Sequence, residues 1–227
     1  MDRRLFLSGI TSSMALSNNG NALAKDFSTQ TEKEKLITSN RFDYTSYQIR
    51  QIQEQQQSII ENNILPKNYG NSFWDQPRTL SLKRSKTNEI VNIPYFKNGQ
   101  VDLQGYWKIT YLLRDLTANL MAYPDLNLLD LLCAVQAWMK FYGNNNPLII
   151  TSGFRTKEHN NKLEGAAKDS QHLLGKAVDF VVPGLDPQTI GKIASHFQAG
   201  GVGIYLDKNF THLDTGNIRS WIKYPKK

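Results

Sequence analysis

Polar and apolar residues alternate with a period of two over Arg78 to Phe96 (RTLSLKRSKTNEIVNIPYF), on both sides of Lys86-Thr87-Asn88. That pattern predicts a hairpin of two half-buried strands. The period then lengthens. From Tyr106 to Leu120 and from Leu126 to Tyr142, apolar residues recur at helical spacing, as at Leu128, Leu131, Leu132, Val135 and Met139, and two core helices are expected there. Short apolar runs follow at PLIITSGF (Pro147 to Phe154) and AVDFVV (Ala177 to Val182), and YLDKNFTHLDTG (Tyr205 to Gly216) alternates again. Each of these predicts a strand. No internal repeat interrupts the series.

Ahead of Phe73 the texture differs. Residues 25–72 are polar and rich in Gln, Asn, Ser and Lys, with Ile49, Ile52, Ile59, Ile60 and Ile64 at loosely helical spacing. One amphipathic helix within a polar linker is expected there, not a domain. Residues 1–24 carry Arg3-Arg4, a modest apolar stretch broken by Gly9, Thr11, Ser12 and Ser13, and the small-x-small triplet Ala22-Leu23-Ala24. This resembles a twin-arginine export signal with a cleavage site, so the protein is expected to be exported and periplasmic. The stretch is too short and too interrupted to span a bilayer, and no stable membrane insertion is expected. The third segment, residues 73–227, is expected to be the functional domain.

Composition sharpens the picture in three ways. Hydrophobic residues make up 40% and charged residues 21%, the profile of a soluble globular domain. A single cysteine, Cys133, excludes an intramolecular disulfide and a cysteine-rich zinc site; within LLDLLCAVQAW it reads as a small buried hydrophobe. The formal charge is +7, from 27 Lys+Arg against 20 Asp+Glu. These cations are scattered, with no basic helix interleaved with aromatics, so nucleic acid is not an expected partner. Anionic cell-wall polymer suits the surface equally well.

The candidate chemistry lies in two stretches. In Ser170-Gln171-His172-Leu173-Leu174-Gly175-Lys176-Ala177-Val178-Asp179, Gly175 permits a tight turn that folds His172 back towards Asp179 on the following strand. In FTHLD, His212 and Asp214 are two apart and share one strand face. Two imidazoles and one carboxylate suit zinc, and three protein ligands leave a fourth position for water. Spacing alone leaves the alternative open, since a lone histidine on a strand is often structural.

The combination S-x-H-x-x-G-x-A-x-D (Ser170, His172, Gly175, Ala177, Asp179) followed by F-x-H-x-D (Phe210, His212, Asp214) resembles the zinc D,D-/L,D-peptidase superfamily. That group includes D-Ala-D-Ala carboxypeptidases and dipeptidases, murein endopeptidases and the hedgehog signalling fold. The similarity runs from about Trp74 to Trp221 through PRTLSL, LLRD, LLDLL, TSGFRT and GGVGIY. Within the superfamily the chain most closely resembles exported murein endopeptidases with twin-arginine signals. The resemblance implies an α+β fold in which a small antiparallel sheet bears the ligands and helices pack on one face. It also implies one Zn2+ per chain held by His172, Asp179 and His212, with Arg155 contacting the substrate carbonyl or carboxylate, where a guanidinium can stabilise an oxyanion, with Ser170 either bonding substrate or capping a turn, and with Asn160 shaping a loop. The implied partners are peptidoglycan peptides, and the implied reaction is hydrolysis of peptide bonds in stem peptides or crosslinks. The alternatives are a D,D-carboxypeptidase and a metal-containing wall-binding module with little turnover.

The general base is where the sequence departs from many members. They place Glu or Asp three residues before the last histidine ligand; here that position is Asn209. Asp214 is the replacement candidate, either as the base or as a partner that orients His212, and Asp207 is the weaker candidate. His159 and His196 match no ligand position and read as surface or packing residues.

Overall fold

The computed structural model describes residues 73–226. The expected export signal and polar linker, with its amphipathic helix, lie outside the described residues. The chain divides into two compact units. Among the described residues the first holds a 3-10 turn at Phe73–Asp75 and a two-residue strand, Gln100–Val101.

The second unit holds the remaining strands and helices, apart from Leu103, which falls in the first. In chain order, counting that short strand as β3, they are β1 (Arg78–Arg84), β2 (Ile90–Lys97), α1 (Leu103–Leu112), α2 (Leu126–Phe141), β4 (Leu148–Ser152), α3 (Lys157–Asn161), β5 (Ala177–Val181), α4 (Pro187–Ser195), β6 (Gly201–Tyr205), β7 (Phe210–Asp214) and β8 (Arg219–Lys223). Within the unit the strands lie side by side as β2-β1-β4-β5-β7-β6-β8. The fold is α+β, but the sheet is larger than the small one expected. It is also not purely antiparallel, because β1–β4 and β6–β8 pair in parallel. The expected hairpin is β1–β2, turned through Asn88 at φ 58°.

Period-two alternation divides the sheet's two faces. Leu80 and Leu82 on β1, Leu148 and Ile150 on β4, Val178 and Phe180 on β5, and Leu213 on β7 are buried. Helix α2 packs against β1 and supplies Leu128, Leu129, Leu132 and Val135. Helix α4 packs against β6, β7 and α2 through Ile190 and Ala194. Each of these Leu, Ile, Val and Phe side chains contributes about 1.5–3 kcal/mol of burial. Asp125 and Asp186 start α2 and α4 by accepting from the backbone N–H groups of Asn127 and Thr189, and Pro187 occupies the first turn of α4.

Helix α1 stops at Leu112, short of the Leu120 that periodicity suggested. The cause is Asp115. Its side chain accepts from the N–H of Thr117 and its backbone pairs with Leu120, closing a turn that competes with the helix. No helix among the described residues is long and apolar enough to cross a membrane.

Candidate metal centre

The strand register builds the centre. Residues paired across neighbouring strands share a face, and one row reads Ser152–Asp179–His212–Gly203–Trp221 across β4, β5, β7, β6 and β8. The next row reads Ala177–Asp214–Gly201–Arg219. Two would-be ligands are therefore cross-strand neighbours on the face opposite Val178, Phe180 and Leu213.

His172 arrives from outside the sheet. It lies on a 3-10 turn, Gln171–Leu174, started by the Ser170 side chain and ended by Gly175 at φ 66°. A side chain at Gly175 would approach within 2.7 Å of the Tyr123 carbonyl, so both the backbone angle and the space call for glycine. The turn places one atom each of His172, Asp179 and His212 within 4.8 Å of one another, and all three residues are buried.

The outer contacts of the two imidazoles decide what this cluster can hold. His172 Nδ1 lies 2.7 Å from the Gly153 carbonyl, which can only accept, so that nitrogen carries the proton and Nε2 carries the lone pair. His212 Nε2 lies 2.8 Å from Asp214 Oδ2, which leaves its lone pair on Nδ1. Both lone pairs converge on Asp179 Oδ1, at 3.2 Å from His172 and 2.8 Å from His212, and the two nitrogens are 3.3 Å apart. Three electron-pair donors with their protons turned outward match a tetrahedral zinc with one open position. Burial disfavours the charged form of His172 and lowers its pKa. Burial also opposes ionisation of Asp179, yet the two histidines hold its carboxyl well below the usual range. His212 is raised despite burial, through its bonds to Asp179 and Asp214.

Arg155 joins the cluster directly. Its Nη2 donates to Asp179 Oδ2 and its Nε donates to Ser152 Oγ at 2.8 Å, so the guanidinium is fixed beside the ligand atoms. Asp214 is brought close but not into the open. It is wholly buried and does not line the cleft. It accepts from His212, from Arg219 at 2.7 and 3.1 Å, and from the N–H groups of Gly201 and Gly216. Burial raises its pKa and those donors outweigh it, holding the carboxyl below its usual range.

The cluster opens on a cleft of about 700 Å³, lined also by Arg155, Ser170 and Trp221. Asp207 and Asn209 are exposed on the β6–β7 turn and are not among its walls. Asn160 is buried and donates to the Ala167 carbonyl, bracing the loop before Ser170. Cys133 is buried and its thiol is pushed up to about 12, chiefly by desolvation, as an inert packing residue requires. His196 packs on Trp138, away from this cleft.

His159 departs from the surface-or-packing reading. It lines the cleft, and its Nδ1 lies 2.9 Å from Asp115, a fully buried carboxylate that also accepts from the Thr156 N–H and hydroxyl. Sequence reasoning missed that dyad, together with Arg219 and Trp221. Asp115 stood inside the LLRD motif, but nothing along the chain pointed to His159. Arg219 and Trp221 become visible only through the parallel β6–β8 pairing.

A sheet presenting one imidazole and a carboxylate, joined by a second imidazole from the turn before it and backed by a buried carboxylate and a fixed arginine, is the framework of a metallopeptidase of the zinc D,D-/L,D-peptidase superfamily. Residues 73–221 match the family described as peptidoglycan L,D-endopeptidase MepK, and the chain belongs to that family. The peptidoglycan L,D-endopeptidase MepK of Escherichia coli (strain K12) is 35% identical over 150 residues, 64% of this chain and 81% of the relative. The probable peptidoglycan L,D-endopeptidase MepK of Haemophilus influenzae is 29% identical over 168 residues, 72% of this chain and 87% of the relative.

Proposed function

We infer that this chain is a zinc-dependent murein endopeptidase that hydrolyses peptide bonds in peptidoglycan stem peptides or their crosslinks. The observation that carries the reading is the convergence of the His172, Asp179 and His212 electron pairs, with their protons directed away by Gly153 and Asp214. A zinc ion held there would supply Lewis acidity and lower the pKa of water to about 7. Arg155 fixes Asp179 and offers the rest of its guanidinium to the carbonyl oxygen that gains charge during attack. Ser170 starts the turn that carries His172 and faces the same cleft, where it meets the substrate backbone. Asp214 orients His212 and strengthens it as a ligand, in preference to the role of base, because its acceptor positions are occupied and turned from the cleft.

Purified protein incubated with crosslinked muropeptides separates this reading from its neighbours. Dimers falling to monomers are expected. Loss of terminal residues alone would make the protein a carboxypeptidase, and retention without cleavage would make it a binding module.

Arg155→Lys tests the arginine. Lysine keeps the charge but cannot hold Ser152 and Asp179 through one planar fork. Zinc content should stay near wild type while turnover falls by about a hundred- to a thousandfold, the usual worth of one donor to a developing oxyanion. Wild-type turnover in the variant would remove Arg155 from the mechanism.

The site of action is proposed to be the periplasm, reached by the twin-arginine route on the strength of Arg3-Arg4 and Ala22-Leu23-Ala24. Replacing both arginines by lysine should leave precursor in the cytoplasm. Normal export of that variant would exclude the route.

A further inference from the structure

The wall of the cleft beside His212 is more specialised than peptide hydrolysis alone requires. In the row that carries the ligands, the residue beyond His212 is Gly203 and the one beyond that is Trp221. A side chain on Gly203 would stand 2.5 Å from the Trp221 ring, so the indole lies directly over the glycine. It is 5.3 Å from the His212 ring, and its Nε1 donates to the Tyr205 hydroxyl at 3.2 Å. The adjoining row is Phe210–Tyr205–Lys223, with the two rings stacked at 4.3 Å. Trp221 and Lys223 are two apart on β8 and share its face. Lys208, on the β6–β7 turn, lines the same cleft.

Next to the metal ligands both arginines are committed, Arg155 to Asp179 and Arg219 to Asp214. Lys223, in the row of the stacked rings, and Lys208, on the adjoining turn, are exposed, line the cleft and make no ion pair among the described residues; Lys86 is the other such lysine on the lining. The carboxylates that share the lining besides Asp179 are Glu164 and Asp169, which stand on the segment between α3 and Ser170. An apolar aromatic floor ending in two unpaired ammonium groups suits one kind of group: an alkyl stem that carries a carboxylate at its far end.

We propose that Trp221, Tyr205, Lys208 and Lys223 form a subsite that holds a substrate residue with a carboxylate-tipped alkyl side chain, the alkyl part on the aromatic rings and the carboxylate on the lysines. The proposal rests on the peptidase reading, since it places this side chain next to the bond that the metal centre cuts. It adds what that reading lacks, a reason for the enzyme to prefer acidic stem peptides over their amidated forms.

The test compares one crosslinked muropeptide dimer with the same dimer whose side-chain carboxylates are amidated. Binding to the zinc-loaded full chain is read by calorimetry, and cleavage is read separately. Wild type should bind the carboxylate form about three- to tenfold more tightly, the worth of one or two solvent-accessible charge-assisted contacts. The Lys208→Met, Lys223→Met double variant should lose that preference and bind the two dimers alike. Both lysines are exposed, so the double variant should fold. Trp221→Leu should weaken both dimers alike. Equal binding of the two dimers by wild type, no measurable binding of either, or a preference that survives in the double variant would each overturn the subsite. Preferential binding without cleavage would count against the peptidase reading and leave the subsite standing; cleavage without preference would do the reverse.

Discussion

His172→Ala should leave a folded protein that neither retains zinc on dialysis nor cleaves crosslinked muropeptides. Among the described residues His172 is one of three converging donors, and its ring is held by an outer bond to Gly153. Its loss leaves two protein ligands, one short of the three that hold a catalytic zinc. Lewis-acid stabilisation is worth several kcal/mol, so the rate should fall by about a thousandfold or more at about 1.4 kcal/mol per decade. The structural cost is smaller. The Gly153 carbonyl loses its donor, at about 1–3 kcal/mol, and the turn still has its Ser170 start and Gly175 end. Circular dichroism and metal analysis on the same sample separate the two effects. A variant that has lost its fold as well as its zinc would point to a structural metal.

Asp214→Asn should act on the metal before it acts on the chemistry. The carboxylate is enclosed by N–H donors from His212, Arg219, Gly201 and Gly216. Asparagine keeps the shape but turns an NH2 group towards at least one of those donors, leaving both unpaired. A stability loss of about 2 kcal/mol is expected, since Arg219 remains partly solvated. With His212 no longer held in its tautomer, zinc affinity should drop about ten- to a hundredfold, and added zinc should restore part of the rate. A variant that binds zinc normally and still loses a hundredfold or more in rate would return Asp214 to the role of base.

The sequence exposed the ligand candidates because each sits in a short local pattern. Gly175 announces the turn between His172 and Asp179, and His212 and Asp214 announce a strand face. The hairpin through Lys86-Thr87-Asn88 and helix α2 were equally local, since period and turn chemistry are written in neighbouring residues. What escaped depends on residues far apart. The reach of Arg219 to Asp214 needs the parallel β6–β8 pairing. The hold of Asp115 on His159 needs the end of α1 to meet α3, and the same aspartate ended that helix eight residues before its apolar pattern did. Arg155 illustrates a middle case: the TSGFRT motif marked it as a site residue, but only the fold shows that it grips Asp179.

In the proposed function one metal at His172, Asp179 and His212 drives peptide hydrolysis. The most direct test is to strip the protein with chelator, return zinc in measured steps, and follow cleavage of crosslinked muropeptides against bound zinc. No cleavage is expected without metal, then a rate that climbs in proportion to zinc bound, and a plateau at about one zinc per chain. Undiminished cleavage by the metal-free protein, or the same titration curve from a His172→Ala, His212→Ala double variant, would contradict it.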